Sequence, residues 1–201
     1  MCIRDSTEST ALLGGYLRLY QIHSATIDSG VLDDPEVIER LGELRDTGLI
    51  VGFSTSGPAQ ADTIRRALGV EVGGRPVFGA VQSTWNLLEP SAGPALAEAA
   101  DAGLGVIVKE AVANGRLTSR NTELARRIGT ISTDWPLDAI AMAACLSQPW
   151  SSVVLSGAAT DTQLASNVHA LMVPSDVVEA IPRLAENPDD YWGTRSGLAW
   201  G

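Results

Sequence analysis

The sequence predicts an α/β fold built on a parallel sheet. Five short apolar runs rich in β-forming residues recur along the chain, and each is followed by a helical pattern. A strand that returns to its sheet through a helix runs parallel to its predecessor. The chain has 201 residues, 45% hydrophobic and 19% charged, which is enough to bury one sizeable core. Five such units fit an open doubly wound sheet, and they fit five units of an eight-unit barrel equally well.

The elements follow in order. Residues 16–22 read as a buried strand ending at His23. Residues 35–47 form an amphipathic helix with Val37, Ile38, Leu41 and Leu44 on one face and Gly48 just past its end. A strand at 49–53 leads to a helix at 58–68 that starts with proline. A strand at 77–81 precedes a helix at 92–102, and a strand at 105–108 precedes helical stretches at 122–128 and 136–146. Ser132 and Thr133 are cap candidates for the second of these. A last strand at 152–155 runs into Thr160-Asp161-Thr162-Gln163, the pattern of a capping box, opening a helix to about Leu171. A short helix at 175–185 is interrupted by Pro182, and a tail with Tyr191, Trp192 and Trp200 reads as a loop packed over a surface. One domain over residues 1–201 is the economical organisation, with residues 1–9 a non-native or disordered leader.

Composition excludes several classes. Lys plus Arg number 14 against 24 Asp plus Glu, a formal net charge of -10, which disfavours nucleic acid and anionic membrane as partners. Cys2 and Cys145 cannot build a disulfide framework, and no zinc-spaced Cys/His set occurs. No apolar run is long enough to span a bilayer, and the N-terminus lacks the apolar core of a signal peptide. A cytoplasmic setting is expected.

In parallel α/β folds, active sites gather at the C-terminal ends of the strands. Those ends here are His23-Ser24, Ser54-Thr55-Ser56, Gln82-Ser83, Lys109-Glu110 and Ser156-Gly157-Ala158. His23 has the chemistry for acid/base or polarising work near neutral pH. Gln82 follows an apolar strand, where a long amide needs partners and can serve a ligand or the scaffold. Ser24 and Ser83 read as ordinary loop residues. Residues 156–160 are small and lead into a helix N-terminus, which favours a phosphate. Gln163 can close the capping box or touch a ligand. Asn114-Gly115-Arg116 can face a phosphate or form a plain turn. Asp33-Asp34 and Asp189-Asp190 read as solvated helix-flank charges, and His169 as structural. No GxGxxG turn, Walker A motif or GxSxG elbow is present.

The order of motifs resembles the aldo/keto reductase family over roughly residues 10–172. The matching segments are Leu19-Tyr20-Gln21-Ile22-His23, the run from Gly48 to Ser54, the run from Val81 to Leu88, the run from Gly103 to Thr118, and Leu155-Ser156-Gly157-Ala158 with Gln163, Leu164 and Asn167. The resemblance implies a partial (β/α)8 TIM barrel of about five β/α units, strands four to eight, plus a C-terminal helix and tail. It implies an NAD(P)H-dependent oxidoreductase that reduces small aldehydes or ketones to alcohols by hydride transfer. NADPH is the family default, with NADH possible because Gln163 stands where a cation often selects the 2′-phosphate.

The resemblance also implies residue roles. His23 matches the catalytic histidine that orients the substrate carbonyl. Ser54 and Gln82 match residues that hold the nicotinamide carboxamide. Thr55 stands where asparagine is usual, and Lys109 where many members place a ring against the nicotinamide. Glu110 through Asn114 resembles the stretch lining the pyrophosphate. Gly157, Ala158, Gln163 and Asn167 resemble the loop and helix at the adenosine end. The family's catalytic tyrosine, aspartate and lysine come from the first three strand ends, before the matched segment. Fifteen residues precede Tyr16, fewer than one β/α unit needs. The expectation is an N-terminally truncated, inactive fragment. Two alternatives from other classes are a cofactor-binding regulatory subunit on the same fold and a flavodoxin-like binding module.

Overall fold

The structure, a computed structural model, describes residues 3–129 and 134–198. Cys2, Ser132, Thr133 and Trp200 lie outside the described residues. Two compact units divide the chain: Met1–Ser83 with Pro94–Val106, and Thr84–Gly93 with Ile107–Gly201.

The first unit opens with α1 (Ile3–Leu13), in the segment expected to be a leader. A 3₁₀ turn at Gly14–Tyr16 follows and leaves Tyr16 exposed, so β1 (Leu19–Ala25) starts and ends three residues later than the apolar run suggests. Next come α2 (Pro35–Asp46), β2 (Ile50–Thr55), α3 (Gln60–Leu68), the short strands β3 (Glu71–Val72) and β4 (Arg75–Pro76), and β5 (Ala80–Thr84). Then α4 (Gly93–Asp101) leads to β6 (Gly105–Lys109).

Asp34 caps α2 by accepting from the backbone N–H groups of Glu36 and Val37, at 3.0 and 3.3 Å. Pro35 fits the first helical position, where its missing N–H costs nothing. Asp33 pairs with Arg66. Both acids are therefore helix-flank charges. The β3–β4 hairpin has no counterpart in the sequence expectation. Gly73 and Gly74 both have positive φ (62° and 71°), which suits the tight turn between antiparallel strands.

Parallel pairing joins β1 to β2 and β2 to β5. Leu19 to Ile22 pair in step with Ile50 to Phe53, and the register then shifts before Ala25 pairs with Thr55. His23 and Ser24 occupy this bulge, and Ser24 has φ 56°. A bulge breaks the alternation of a strand and re-aims its side chains. Apolar positions on helices and strands make the unit's core, with Ile22, Leu41, Val51, Phe53, Ile64, Val81 and Leu96 at most 2% exposed. Phe53 and Phe78 meet edge to face, 4.8 Å between centroids.

The second unit holds α5 (Thr122–Gly129), α6 (Leu137–Leu146), β7 (Val153–Val154), α7 (Asp161–Val168), α8 (Ser175–Glu179) and α9 (Pro188–Ser196). β6 and β7 pair in parallel through Ile107 with Val153 and Val108 with Val154. Helix α6 is apolar nearly all round and buried from Leu137 to Cys145, save half-buried Asp138. It packs with Leu88, Leu117, Leu184, Tyr191 and Trp192.

The tail is helical where the sequence suggests a loop. Asn187 accepts from the Asp189 N–H at 2.9 Å, Pro188 starts the helix, and Tyr191 and Trp192 are buried. The cap signal is local and readable, but only tertiary packing stabilises so short a helix. The helix expected to reach Leu171 tightens to 3₁₀ at His169–Met172, with His169 exposed. Helix α8 stops at Glu179, short of Pro182. Among the described residues, no helix is long and apolar enough to cross a membrane.

Candidate functional site

The candidate residues fall into two groups, one in each unit. In the first unit, His23 is exposed in the β1 bulge and lines a cavity of about 530 Å³ with Tyr20, Gln21, Ser24, Ser29 and Asp34. Ser54 is buried at the end of β2, where its Oγ accepts from the Ser24 N–H at 2.8 Å. That bond pins the bulge beside Ser54 and leaves the hydroxyl hydrogen available to a second partner. Gln82 pairs in register with Ser54 and is half-buried. Among the described residues its side-chain amide has no hydrogen-bond partner. A ligand amide can satisfy it.

Thr55 and Ser83 follow Ser54 and Gln82, so strand alternation turns them to the opposite face. Thr55 Oγ1 donates to Ser83 Oγ at 3.0 Å, and Ser83 Oγ donates to Gln60 Oε1 at 2.8 Å. All three side chains are buried. Ser83 is thus part of a satisfied polar network, not an ordinary loop residue. Gln60 escapes sequence reading because its partners lie on other elements. The network ties the ends of β2 and β5, which carry Ser54 and Gln82.

In the second unit, a cavity of about 790 Å³ is lined by Glu110, Asn114, Gly157, Ala158, Gln163 and Asn167, with other residues. Six positions singled out in the sequence therefore face one space. Lys109 is not in this lining; it is half-buried, and burial lowers the pKa of its ammonium, with Glu110 opposing and Arg195 adding to the effect. Thr160 caps α7 by accepting from the Gln163 N–H at 3.2 Å, and Gln163 Oε1 accepts from the Ala159 N–H at 2.8 Å. Gln163 therefore shapes the loop it shares with Gly157 and Ala158. Asn167 donates to Ser156 Oγ at 2.9 Å. The α7 N-terminus offers N–H groups and a positive dipole end to an anion. Arg120, which sequence reasoning missed, also lines the cavity and adds a cation.

Cys145 is buried in α6, its Sγ donating to the Trp85 carbonyl at 3.5 Å, and burial pushes its thiol up to about 12. It is expected to resist a thiol reagent in the native protein and to react once denaturant unfolds the chain. Stoichiometric labelling under native conditions would contradict its burial. Among the described residues, no group of three or more His, Cys, Asp or Glu side chains could hold a metal ion.

The model of the aldo/keto reductase family matches residues 1–186. The holo form of an aldo-keto reductase from Bacillus halodurans superposes with a TM-score of 0.71 at 24% identity, covering 92% of this chain and 64% of that one. Its apo form gives 0.64 at 24% identity, covering 96% and 67%. A Pseudomonas aeruginosa protein assigned to the same family gives 0.56 at 22% identity, covering 83% and 55%. The chain thus spans less than two thirds of the first of these structures. No curated protein matches it. The structural likeness carries the α/β fold with its parallel strands, and the family model covers most of the sequence. The chain belongs to the aldo/keto reductase family.

Proposed function

We propose that the protein is an NAD(P)H-dependent oxidoreductase acting on aldehydes or ketones. The observation that carries this is the cavity of about 790 Å³, whose lining gathers Glu110, Asn114, Gly157, Ala158, Gln163 and Asn167. We assign residues 1–201 to a single partial barrel domain with residues 1–9 as a leader, the five strand–helix units being strands four to eight. An acidic chain of this kind fits a cytoplasmic enzyme acting on small molecules without nucleic-acid or membrane partners.

Each group of residues, taken by itself, suits one part of a nicotinamide dinucleotide. The half-buried, unpartnered Gln82 amide and the Ser54 hydroxyl can bond a carboxamide. The small loop at Gly157–Ala158, the α7 N-terminus and Arg120 can take phosphate and adenosine. NADPH is the preferred form, because Arg120 supplies a cation although Gln163 does not. When bound, the cofactor supplies the hydride. Ser54 and Gln82 fix which face of the ring is presented. His23 bonds the substrate carbonyl oxygen and orients it. Lys109, beside the strained turn at Glu110, supplies a flexible chain where other members place a ring. Thr55 contributes through its network with Ser83 and Gln60.

Gln82→Ala is expected to weaken NADPH binding by about 0.5–1.5 kcal/mol, or roughly two- to twelvefold in Kd. Titration of the purified protein with NADPH, followed by tryptophan fluorescence, measures it. Unchanged affinity would make Gln82 a scaffold residue. A separate assay follows NADPH consumption with a simple aldehyde. Binding without turnover would fit the inactive fragment expected from the sequence and a regulatory subunit alike, and no binding of either dinucleotide would overturn the proposal.

A further inference from the structure

We propose that Arg195, on the C-terminal helix α9, is a positioning residue that neutralises Glu110 and so makes the cavity beside α7 acceptable to an anionic ligand. This rests on the assignment of that cavity to the phosphate-bearing end of a dinucleotide.

The chain leaves β6 through an unusual turn. Glu110, Ala113 and Asn114 have φ of 57°, 48° and 54°. Non-glycine residues in this region are strained and persist only where the surroundings enforce them. Glu110 is held on three sides. Its backbone carbonyl accepts from Asn86 Nδ2 at 3.0 Å. Its Oε2 accepts from Asn114 Nδ2 at 3.2 Å. Its Oε1 accepts from Arg195 Nη2 at 2.6 Å and from Arg195 Nε at 3.0 Å. The pair is largely withdrawn from water, at 11% and 22% side-chain exposure for Glu110 and Arg195. The Arg195 guanidinium also lies 5.4 Å from the Trp192 ring centroid, which steadies it.

Charge gives the pair its consequence. Among the described residues, Glu110 and Asp138 are the acids of the cavity lining, and Arg120 is its arginine. Arg195 is not in that lining and cancels the Glu110 charge through their ion pair. With Arg195 in place, the lining is close to neutral and offers Arg120 and the α7 dipole to a phosphate. Without it, a carboxylate held in a poorly solvated turn repels the same phosphate. A neutral ligand is indifferent to this change, which separates the proposed role from a merely structural one.

The test uses the full chain and two probes, 2′,5′-ADP and adenosine, titrated calorimetrically. Arg195→Met is expected to weaken 2′,5′-ADP by about tenfold and adenosine by less than about twofold. Adding Glu110→Gln to that variant should restore most of the loss, because the carboxylate that Arg195 neutralised is then gone. Glu110→Gln alone should tighten 2′,5′-ADP, since it removes a negative charge from the lining while Arg195 keeps its positive one. That variant keeps the test decisive should Arg195→Met fail to fold. Equal losses for both probes, no rescue by Glu110→Gln, or unchanged or weaker 2′,5′-ADP binding by Glu110→Gln alone would each overturn the proposal. Failure of the unaltered protein to bind 2′,5′-ADP would instead strike at the cofactor assignment and take this inference with it.

Discussion

Tyr191→Ala is expected to destabilise the protein by about 3–5 kcal/mol, the range for removing a buried aromatic ring. Tyr191 lies in the tail that the sequence marks as a loop, yet its side chain is 1% exposed within the core around α6. The ring packs edge to face on Trp192 at 5.7 Å and under the Arg116 guanidinium at 5.5 Å. Its hydroxyl accepts from Asn86 Nδ2 at 2.9 Å. Asn86 in turn accepts from the Leu88 and Glu89 N–H groups. Tyr191→Phe removes only the hydroxyl and should cost about 1 kcal/mol.

Urea denaturation of both variants checks these values; a shift for Tyr191→Ala below about 0.5 kcal/mol would mean that α9 is not docked. A pH series adds a signed expectation. Burial pushes the Tyr191 phenol well above its usual value, against the partial relief of the Asn86 bond. The folded protein therefore keeps a proton that the unfolded chain releases near pH ~10, so stability is present below that pH and falls above it. The fall should be smaller in Tyr191→Phe.

Phe53→Ala is expected to cost a similar ~3–5 kcal/mol and to reach the candidate site as well. Phe53 is fully buried in β2, between Gly52 and Ser54, and contacts Phe78 edge to face. The backbone here has no slack. A Cβ at Gly52 would lie 3.0 Å from the Ala80 carbonyl oxygen of the neighbouring strand. The strands cannot close over the cavity left by the ring without moving Ser54 and Gln82, which pair in register one residue on. The variant should therefore show a lowered urea midpoint and weaker NADPH binding together. Full native stability would contradict the packing. Lost stability with unchanged NADPH affinity would detach Ser54 and Gln82 from the ligand.

Much of the fold was legible because its signals are local. Helix α2 announces itself through the apolar stripe from Val37 to Leu44 and Gly48 just past its end, whereas the capping role of Asp34 emerges only in the structure. Helix α7 does so through Thr160 and Gln163, and α6 through a nearly unbroken apolar run. The strand ends were found to within a few residues, and the error at β1 has a cause. Tyr16 carries a strand-former's side chain but sits in a turn enforced by the Gly14 conformation, φ 51°. The β3–β4 hairpin was missed because strands of two residues carry no periodicity. The tail helix was missed because its cap, Asn187-Pro188, was outweighed by a sequence that forms no amphipathic stripe.

The α/β class, the order of most elements and the residue types at the strand ends are written in the chain itself. Those follow from periodicity, capping and turn chemistry, which act within a few residues of chain. Tertiary structure alone decided which of those residues share a space and what holds them. It placed Gly157, Gln163 and Asn167 against Glu110 and Asn114 around one cavity. It joined Thr55, Ser83 and Gln60 into a buried network. It paired Glu110 with Arg195 across 85 residues of sequence, a contact no local pattern encodes. Side-chain pairing at such separation depends on how helices and strands pack, and packing is a property of the whole folded unit.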